Sequence, residues 1–251
     1  MLYPELFAQL EKARWNMATD IPWDQFDVSL LTDEQAETVK MNAITEWSAL
    51  PATEMFLRDF RHDSDFSAFM SIWFFEEQKH SLVLMEYLRR FRPDLVPTEE
   101  ELHAIRFEFD PAPALETLML HFCGEIRLNH WYRRAAEWHT EPVIKQIYTT
   151  LAQDEARHGG AYLRYMKRAI AKHGNEAKAA FAAISDPDAL EQVKARFLGK
   201  SGQITELLKG LGKLPPEEKK TAGAAINVAK TAVENALNER REDIRKAALQ
   251  A

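Results

Sequence analysis

Two stretches of this chain place ionisable groups inside apolar, helix-forming runs. They are WFFEEQKHSLVL, Trp73 to Leu84, and LAQDEARHGGAYL, Leu151 to Leu163. Burying charge is costly unless something compensates it. Both stretches contain Glu-x-x-His, as Glu77/His80 and Glu155/His158. A spacing of three puts both side chains on one helix face, so each pair can offer a carboxylate oxygen and an imidazole nitrogen to one cation. Two more acids complete the pattern: Glu46 in NAITEWSALP, 31 residues before Glu77, and Glu125 in HFCGEIRLNHWY, 30 residues before Glu155. A lone Glu followed by Glu-x-x-His occurs twice, and four carboxylates offset the charge of two divalent ions.

A single Glu-x-x-His is common and usually lies on a solvated face. The repetition favours a metal site over buried salt bridges to Lys79, Arg127 and Arg157. Glu76 and Asp154 each precede a ligand Glu and point about 100° away from it on a helix. They are expected to be outer or surface groups. Glu54 rivals Glu46, but eight residues on it lies on a rotated face.

The rest of the composition limits the alternatives. The net charge of −7 argues against a nucleic-acid footprint over the whole protein. One cysteine, Cys123, excludes a disulfide framework and a Cys-rich metal site. The opening MLYPELFAQLEKARW is not expected to be a signal peptide, and no run of 18 apolar residues predicts a membrane span. A cytoplasmic setting is expected. Charge is uneven: residues 186–251 hold 12 Lys+Arg and 10 Asp+Glu (12 − 10 = +2), against −9 for the first 185.

The periodicity predicts an all-α chain. One helix should run from the Thr32/Gln35 capping box to about Phe60, kinked near Trp47 by Pro51. A second should span about Asp65–Phe91, a third Ala114–Trp138 and a fourth Val143–His173. Beyond Ser185 the chain becomes rich in Ala, Lys and Glu. It reads as a capped helix interrupted at Gly199–Gly202, then a long helix with a narrow stripe of Ala225, Val228, Ala232, Ala236 and Ile244. The expected organisation is a four-helix bundle over 1–175, with an N-terminal extension at 1–31, and an antiparallel helical hairpin over 176–251.

The segments ITEWSALP, EEQKH, GEIRLNHWY and DEARH resemble the ligand segments of the ferritin-like di-iron carboxylate superfamily, nearest the acyl-carrier-protein desaturase branch. The likeness covers roughly 30–173. It implies a ferritin-like bundle in which Glu46, Glu77, His80, Glu125, Glu155 and His158 ligate two Fe ions, or a mixed Mn/Fe pair. Glu77/His80 and Glu155/His158 would each hold one ion, with Glu46 and Glu125 completing or bridging. The implied activity is O2-dependent oxidation of a small organic or acyl substrate, with a redox partner protein and a homodimeric assembly. The alternatives are iron oxidation or storage and peroxide scavenging.

Several positions depart from the superfamily's reaction-specific patterns. Leu128 and Asn129 stand where a threonine is usual, Leu84 where one branch has a radical tyrosine, and Leu151 where the N-oxygenases add a histidine. A single cysteine excludes the rubrerythrin module. His121, Asn129 and Tyr162 are expected in the outer sphere of the site. Trp47, Trp73, Phe74, Phe75, Phe122, Trp131 and Tyr132 are expected to fill the core.

The C-terminal segment carries a second resemblance. ARFLGKSG, LPPEEKK and GAAINVAK are similar to the N-terminal helical arm of the bacterial phenylalanyl-tRNA synthetase α subunit, over about 179–251. The resemblance implies a hairpin that touches tRNA, without the catalytic domain. A balance of +2 is weak for RNA affinity, which rests on clustered phosphate contacts. A solvated or dimerising hairpin is therefore expected ahead of a tRNA-binding arm.

Overall fold

The computed structural model describes residues 1–200, 202, 204, 205, 209 and 216–250. Among these there are helices and no strands. Helices α1 (Tyr3–Ala13), α2 (Asp33–Glu46), α3 (Ala49–Asp59), α4 (Ser64–Phe91) and α5 (Glu99–His103) come first. They are followed by α6 (Ala114–Trp138), α7 (Pro142–Ala182), α8 (Pro187–Leu198) and α9 (Pro216–Gln250). No helix in the described residues is long and apolar enough to cross a membrane.

Start signals in the sequence are used as expected. Thr32 accepts from the Gln35 backbone N–H while Gln35 reaches back to Thr32. Asp63 caps α4 by accepting from Phe66, and Asp186 caps α8 by accepting from Ala189. Each cap satisfies a backbone donor that the first turn leaves open.

Two helix bounds differ from expectation. Pro51 does more than kink one long helix: the chain breaks into α2 and α3 at Trp47–Ser48. Without a proline N–H the local ladder tightens to three-residue bonds, Trp47 to Ile44, Ser48 to Thr45 and Leu50 to Trp47. Glu46 thereby becomes the last residue of α2. Helix α7 also runs past His173 to Ala182. Ala177 and Phe181 on its last turns are buried in an apolar cluster, and that burial outweighs the cost of Gly174 inside the helix.

The chain forms two compact units, residues 1–117 with 124–161, and residues 118–123 with 162–251. This boundary and the sequence boundary at 175/176 both fall within continuous α7. In the first unit α1, α2 and α3 pack on α4. A core of Val39, Leu84, Tyr87, Leu88, Tyr132, Ile147, Tyr148 and Leu151 joins α2, α4, α6 and α7.

In the second unit the end of α7 (Ala177, Phe181) meets Leu190 and Phe197 of α8 and Val233 and Leu237 of α9. Glu191, early in α8, pairs with Arg241, late in α9. The stripe in α9 is rotated from the one expected. Val228 is 72% exposed, whereas Ile226, Val233 and Leu237 are buried. Gly199 and Gly202 allow the chain to close against the end of α8, because a β-carbon there would collide with the Ala195 and Phe197 backbones. The turn expected between α8 and α9 lies outside the described residues.

Candidate metal centre

All six residues expected as ligands lie in the first unit and converge. Glu46 comes from the end of α2, Glu77 and His80 from α4, Glu125 from α6, and Glu155 and His158 from α7. All six are buried. Potential ligand atoms of Glu46, Glu77, His80 and Glu155 lie within 4.8 Å of one another, and so do those of Glu77, Glu125, Glu155 and His158. Glu77 and Glu155 are common to both groups, whereas Glu46 and Glu125 belong to one each.

The chamber contains more polar atoms than it satisfies. Both oxygens of Glu46 and of Glu155, Glu77 Oε1, Glu125 Oε2, His80 Nδ1 and His158 Nδ1 are buried without a hydrogen bond. Buried polar atoms in folded proteins are nearly always partnered, so eight that face one another form a donor set suited to a cation. His80 Nδ1 lies 3.5 Å from Glu46 and 3.3 Å from Glu155. His158 Nδ1 lies 2.8 Å from Glu77 and 3.4 Å from Glu125. Burial pushes the Glu46 carboxyl up to about 7 and the Glu125 carboxyl up to about 8. Burial also opposes the charged form of both histidines. For His80, the nearby carboxylates of Asp154, Glu155 and Glu46 outweigh it; for His158, those of Glu125, Glu155, Glu76 and Glu77 do. Both imidazoles are held well above their usual range.

The outer shell is crossed between the two motifs. His80 Nε2 lies 3.0 Å from Asp154, the acid beside Glu155, and His158 Nε2 lies 3.1 Å from Glu76, the acid beside Glu77. A carboxylate can only accept, so each Nε2 carries a proton, and each Nδ1 is turned towards the chamber carboxylates. Arg157 bridges the two outer acids, at 2.6 Å from Glu76 and 2.5 Å from Asp154. Trp15 Nε1 also donates to Asp154, at 2.8 Å. Glu76 and Asp154 are thus outer groups as expected, but buried ones. Trp73 Nε1 donates to Glu125 Oε1 at 2.9 Å, a role that the core-filling expectation missed. Among the described residues only the two histidines form ion pairs with the four chamber carboxylates, so the expected competitors Lys79, Arg127 and Arg157 do not occupy them. Lys79 instead donates to the Trp15 carbonyl and sits over its ring.

Gly159 brings α6 and α7 close beside His158. A β-carbon there would lie 3.1 Å from Ile126 Cδ1 and 3.6 Å from Glu125 Cβ. The three candidates expected in the outer sphere have other contacts in the structure. Asn129 donates to the Ala152 carbonyl at 2.6 Å. His121 and Tyr162 lie in the second unit with ring centroids 6.2 Å apart. Of the aromatic residues expected in the core, Phe75 and Trp131 are about half exposed.

Comparison with known proteins concerns the other end of the chain. The family of the aminoacyl tRNA synthetase class II, N-terminal domain, matches residues 185–251. The phenylalanine–tRNA ligase alpha subunit of Dechloromonas aromatica (strain RCB) is 92% identical over 77 residues, which are 31% of this chain and 22% of that protein. The corresponding subunit of Azoarcus sp. (strain BH72) is 67% identical over 76 residues, 30% of this chain and 22% of that protein. That of Laribacter hongkongensis (strain HLHK9) is 66% identical over 76 residues. The chain thus spans about a fifth of the length of the curated relatives it matches. No solved structure matches.

These matches correct the functional expectation. The di-iron oxidoreductase, its two Fe or Mn/Fe ions, the organic or acyl substrate with O2, the redox partner and the homodimer all came from the ferritin-like resemblance. The relatives found are tRNA ligase subunits and a synthetase domain instead. The ranking of the arm is reversed as well. The segment expected to be a solvated or dimerising hairpin is the one with named relatives, and they are proteins of tRNA charging.

Proposed function

We propose that this chain is an RNA-associated, cytoplasmic protein that contacts tRNA through its C-terminal arm, residues 185–251. The observation that carries this reading is the 92% identity over 77 residues with a phenylalanine–tRNA ligase alpha subunit. The formal balance of +2 places the affinity in the arrangement of its cations rather than in their number. Arg245 and Lys246 stand exposed on the last turns of α9.

The test is fluorescence anisotropy of labelled tRNA titrated with the full chain at two salt concentrations. Binding that weakens with salt, and weakens further in Arg245→Glu/Lys246→Glu, supports the reading. Absence of salt-sensitive binding at micromolar protein overturns it.

The chamber supports a second, separate reading: Glu46, Glu77, His80, Glu125, Glu155 and His158 bind two divalent cations. The convergence of eight unpartnered buried atoms carries it. Two dications would offset four carboxylates, and Glu77 and Glu155 would face both. Addition of Co2+ as a spectroscopic probe should give ligand-field absorption with two equivalents bound. Glu77→Gln should lose at least one equivalent while keeping its helical circular dichroism. Wild-type protein that takes up no Co2+ at near-neutral pH sinks this reading.

A further inference from the structure

The outward face of α6 carries a pattern that neither the chamber nor the arm uses. Arg127, Trp131, Arg134 and Trp138 follow one another at spacings of four, three and four, so they form one stripe on the helix. All four are exposed. Trp131 is 49% and Trp138 45% accessible, a large solvent contact for indole rings. Trp138 keeps one edge against His139, with ring centroids 5.0 Å apart. Among the described residues neither Arg127 nor Arg134 has an ion-pair partner. Between Ile126 and Trp138 the helix has three arginines and one acid, Glu137. On its flank, Arg133 and Lys145 line an open groove of about 440 Å³ together with Asn129, Glu137, Thr149 and Gln153.

A cationic stripe on a chain of net charge −7 is a local departure from the protein's own field. Two features of the stripe select its occupant. Guanidinium groups bind phosphate bidentately, and half-exposed indoles offer faces on which bases stack. A helix rise of 1.5 Å per residue spaces the two tryptophans by about 10 Å, enough for a short run of nucleotides. The rings and charges alternate, with no aliphatic side chain on the stripe. A second protein surface would be expected to meet a contiguous apolar patch instead.

We infer that this face of α6 docks single-stranded RNA, with phosphates on Arg127 and Arg134 and bases on Trp131 and Trp138. The site belongs to the first unit and does not depend on the arm.

The experiment titrates the full chain into a fluorescein-labelled 12-nucleotide oligouridine, a duplex of equal length and tRNA. The single strand should bind more tightly than the duplex. Trp131→Ala/Trp138→Ala should weaken oligouridine about tenfold or more, while Trp131→Phe/Trp138→Phe recovers most of it, because stacking needs a π-face. Arg127→Gln/Arg134→Gln should lower the slope of log affinity against log salt by about 1.4, from roughly 0.7 per single-strand phosphate contact. These arginines are exposed, so this pair keeps the test open if the tryptophan variants fold poorly.

Oligouridine binding that is absent, or indifferent to all four residues, overturns the inference. So does a wild-type dimer that the tryptophan variants turn into monomer, since the face would then be an interface between copies. Failure of the arm alone looks different: Arg245→Glu/Lys246→Glu leaves tRNA binding unchanged, while the oligouridine still responds to Trp131 and Trp138.

Discussion

The first unit and the C-terminal arm are both helical, and they inform in opposite ways. In the first unit six buried ionisable side chains from four helices converge, yet no solved structure matches the chain. The arm has a small apolar core and exposed ion pairs, and its relatives are identical at up to 92% of positions among the matches given above. The buried ionisable groups gather in the first unit, and the relatives named above match the arm. The lesson is that a constellation of ligands identifies what a site can bind, whereas a function has to be read from the whole chain.

Four measurements sharpen that contrast, beginning with the largest effect. Arg157 bridges Glu76 and Asp154, two buried acids. Arg157→Ala takes away the guanidinium that the two acids share and leaves each with only its histidine as a cationic partner, and urea unfolding should show a loss of about 3–5 kcal/mol. A loss below ~1 kcal/mol would mean that the outer shell is no more than surface electrostatics, and the contrast with the arm would collapse.

His139 gives the next effect, through pH. Its ring is fully buried, and burial pushes the imidazole down to about 4. A folded value below the unfolded one of about 6.5 means that the unfolded chain binds the extra proton. Stability is therefore complete above about pH 6.5 and falls as pH drops towards 4, by about 3 kcal/mol at pH 4. His139→Leu should flatten that part of the curve. An unchanged slope would assign the acid sensitivity to other groups.

Gly159→Ala adds a methyl 3.1 Å from Ile126 Cδ1. The α6–α7 approach should loosen at a cost of about 1 kcal/mol. If Co2+ binds in the chamber, its affinity should fall in the same variant while that of the arm for tRNA stays constant. A stabilised variant would show that the contact has slack.

The smallest effect belongs to the arm. Arg241 and Glu191 form an ion pair whose side chains are both two-fifths or more exposed. Arg241→Ala should cost at most about 1 kcal/mol, since water already solvates both partners. Thermal unfolding followed in parallel with Arg157→Ala compares the same arginine–carboxylate chemistry in two environments.

Much of the chamber was legible in the sequence because its information is local. Glu-x-x-His needs only helix geometry, and the spacings of 31 and 30 residues repeat it. The bounds of α6 were legible from Pro113 and from the end of the periodic run at Trp138. What a neighbouring helix decides was not legible. The wheel placed Glu76 and Asp154 off the ligand face but could not say that α7 and α4 would cover them. Helix α7 continues past Gly174 because Ala177 and Phe181 are buried against α8 and α9, which is tertiary information. In α9, small residues at Ala232 and Ala236 blurred the stripe, and the larger Ile226, Val233 and Leu237 mark the buried side. The reaction was overread: a ligand set was carried over with its superfamily's chemistry, although Leu84, Leu128 and Leu151 had already lost the groups that specify it.

The crossed pairing of His80 with Asp154 and of His158 with Glu76 bears on how this protein is assembled. The orientation of each imidazole is set by an acid on the other motif helix, α7 for His80 and α4 for His158, about eighty residues away in sequence. Neither half of the internal repeat can orient its own histidine. A chain cut between α4 and α6 would yield two fragments, each carrying a complete Glu-x-x-His and neither able to aim it until they recombine.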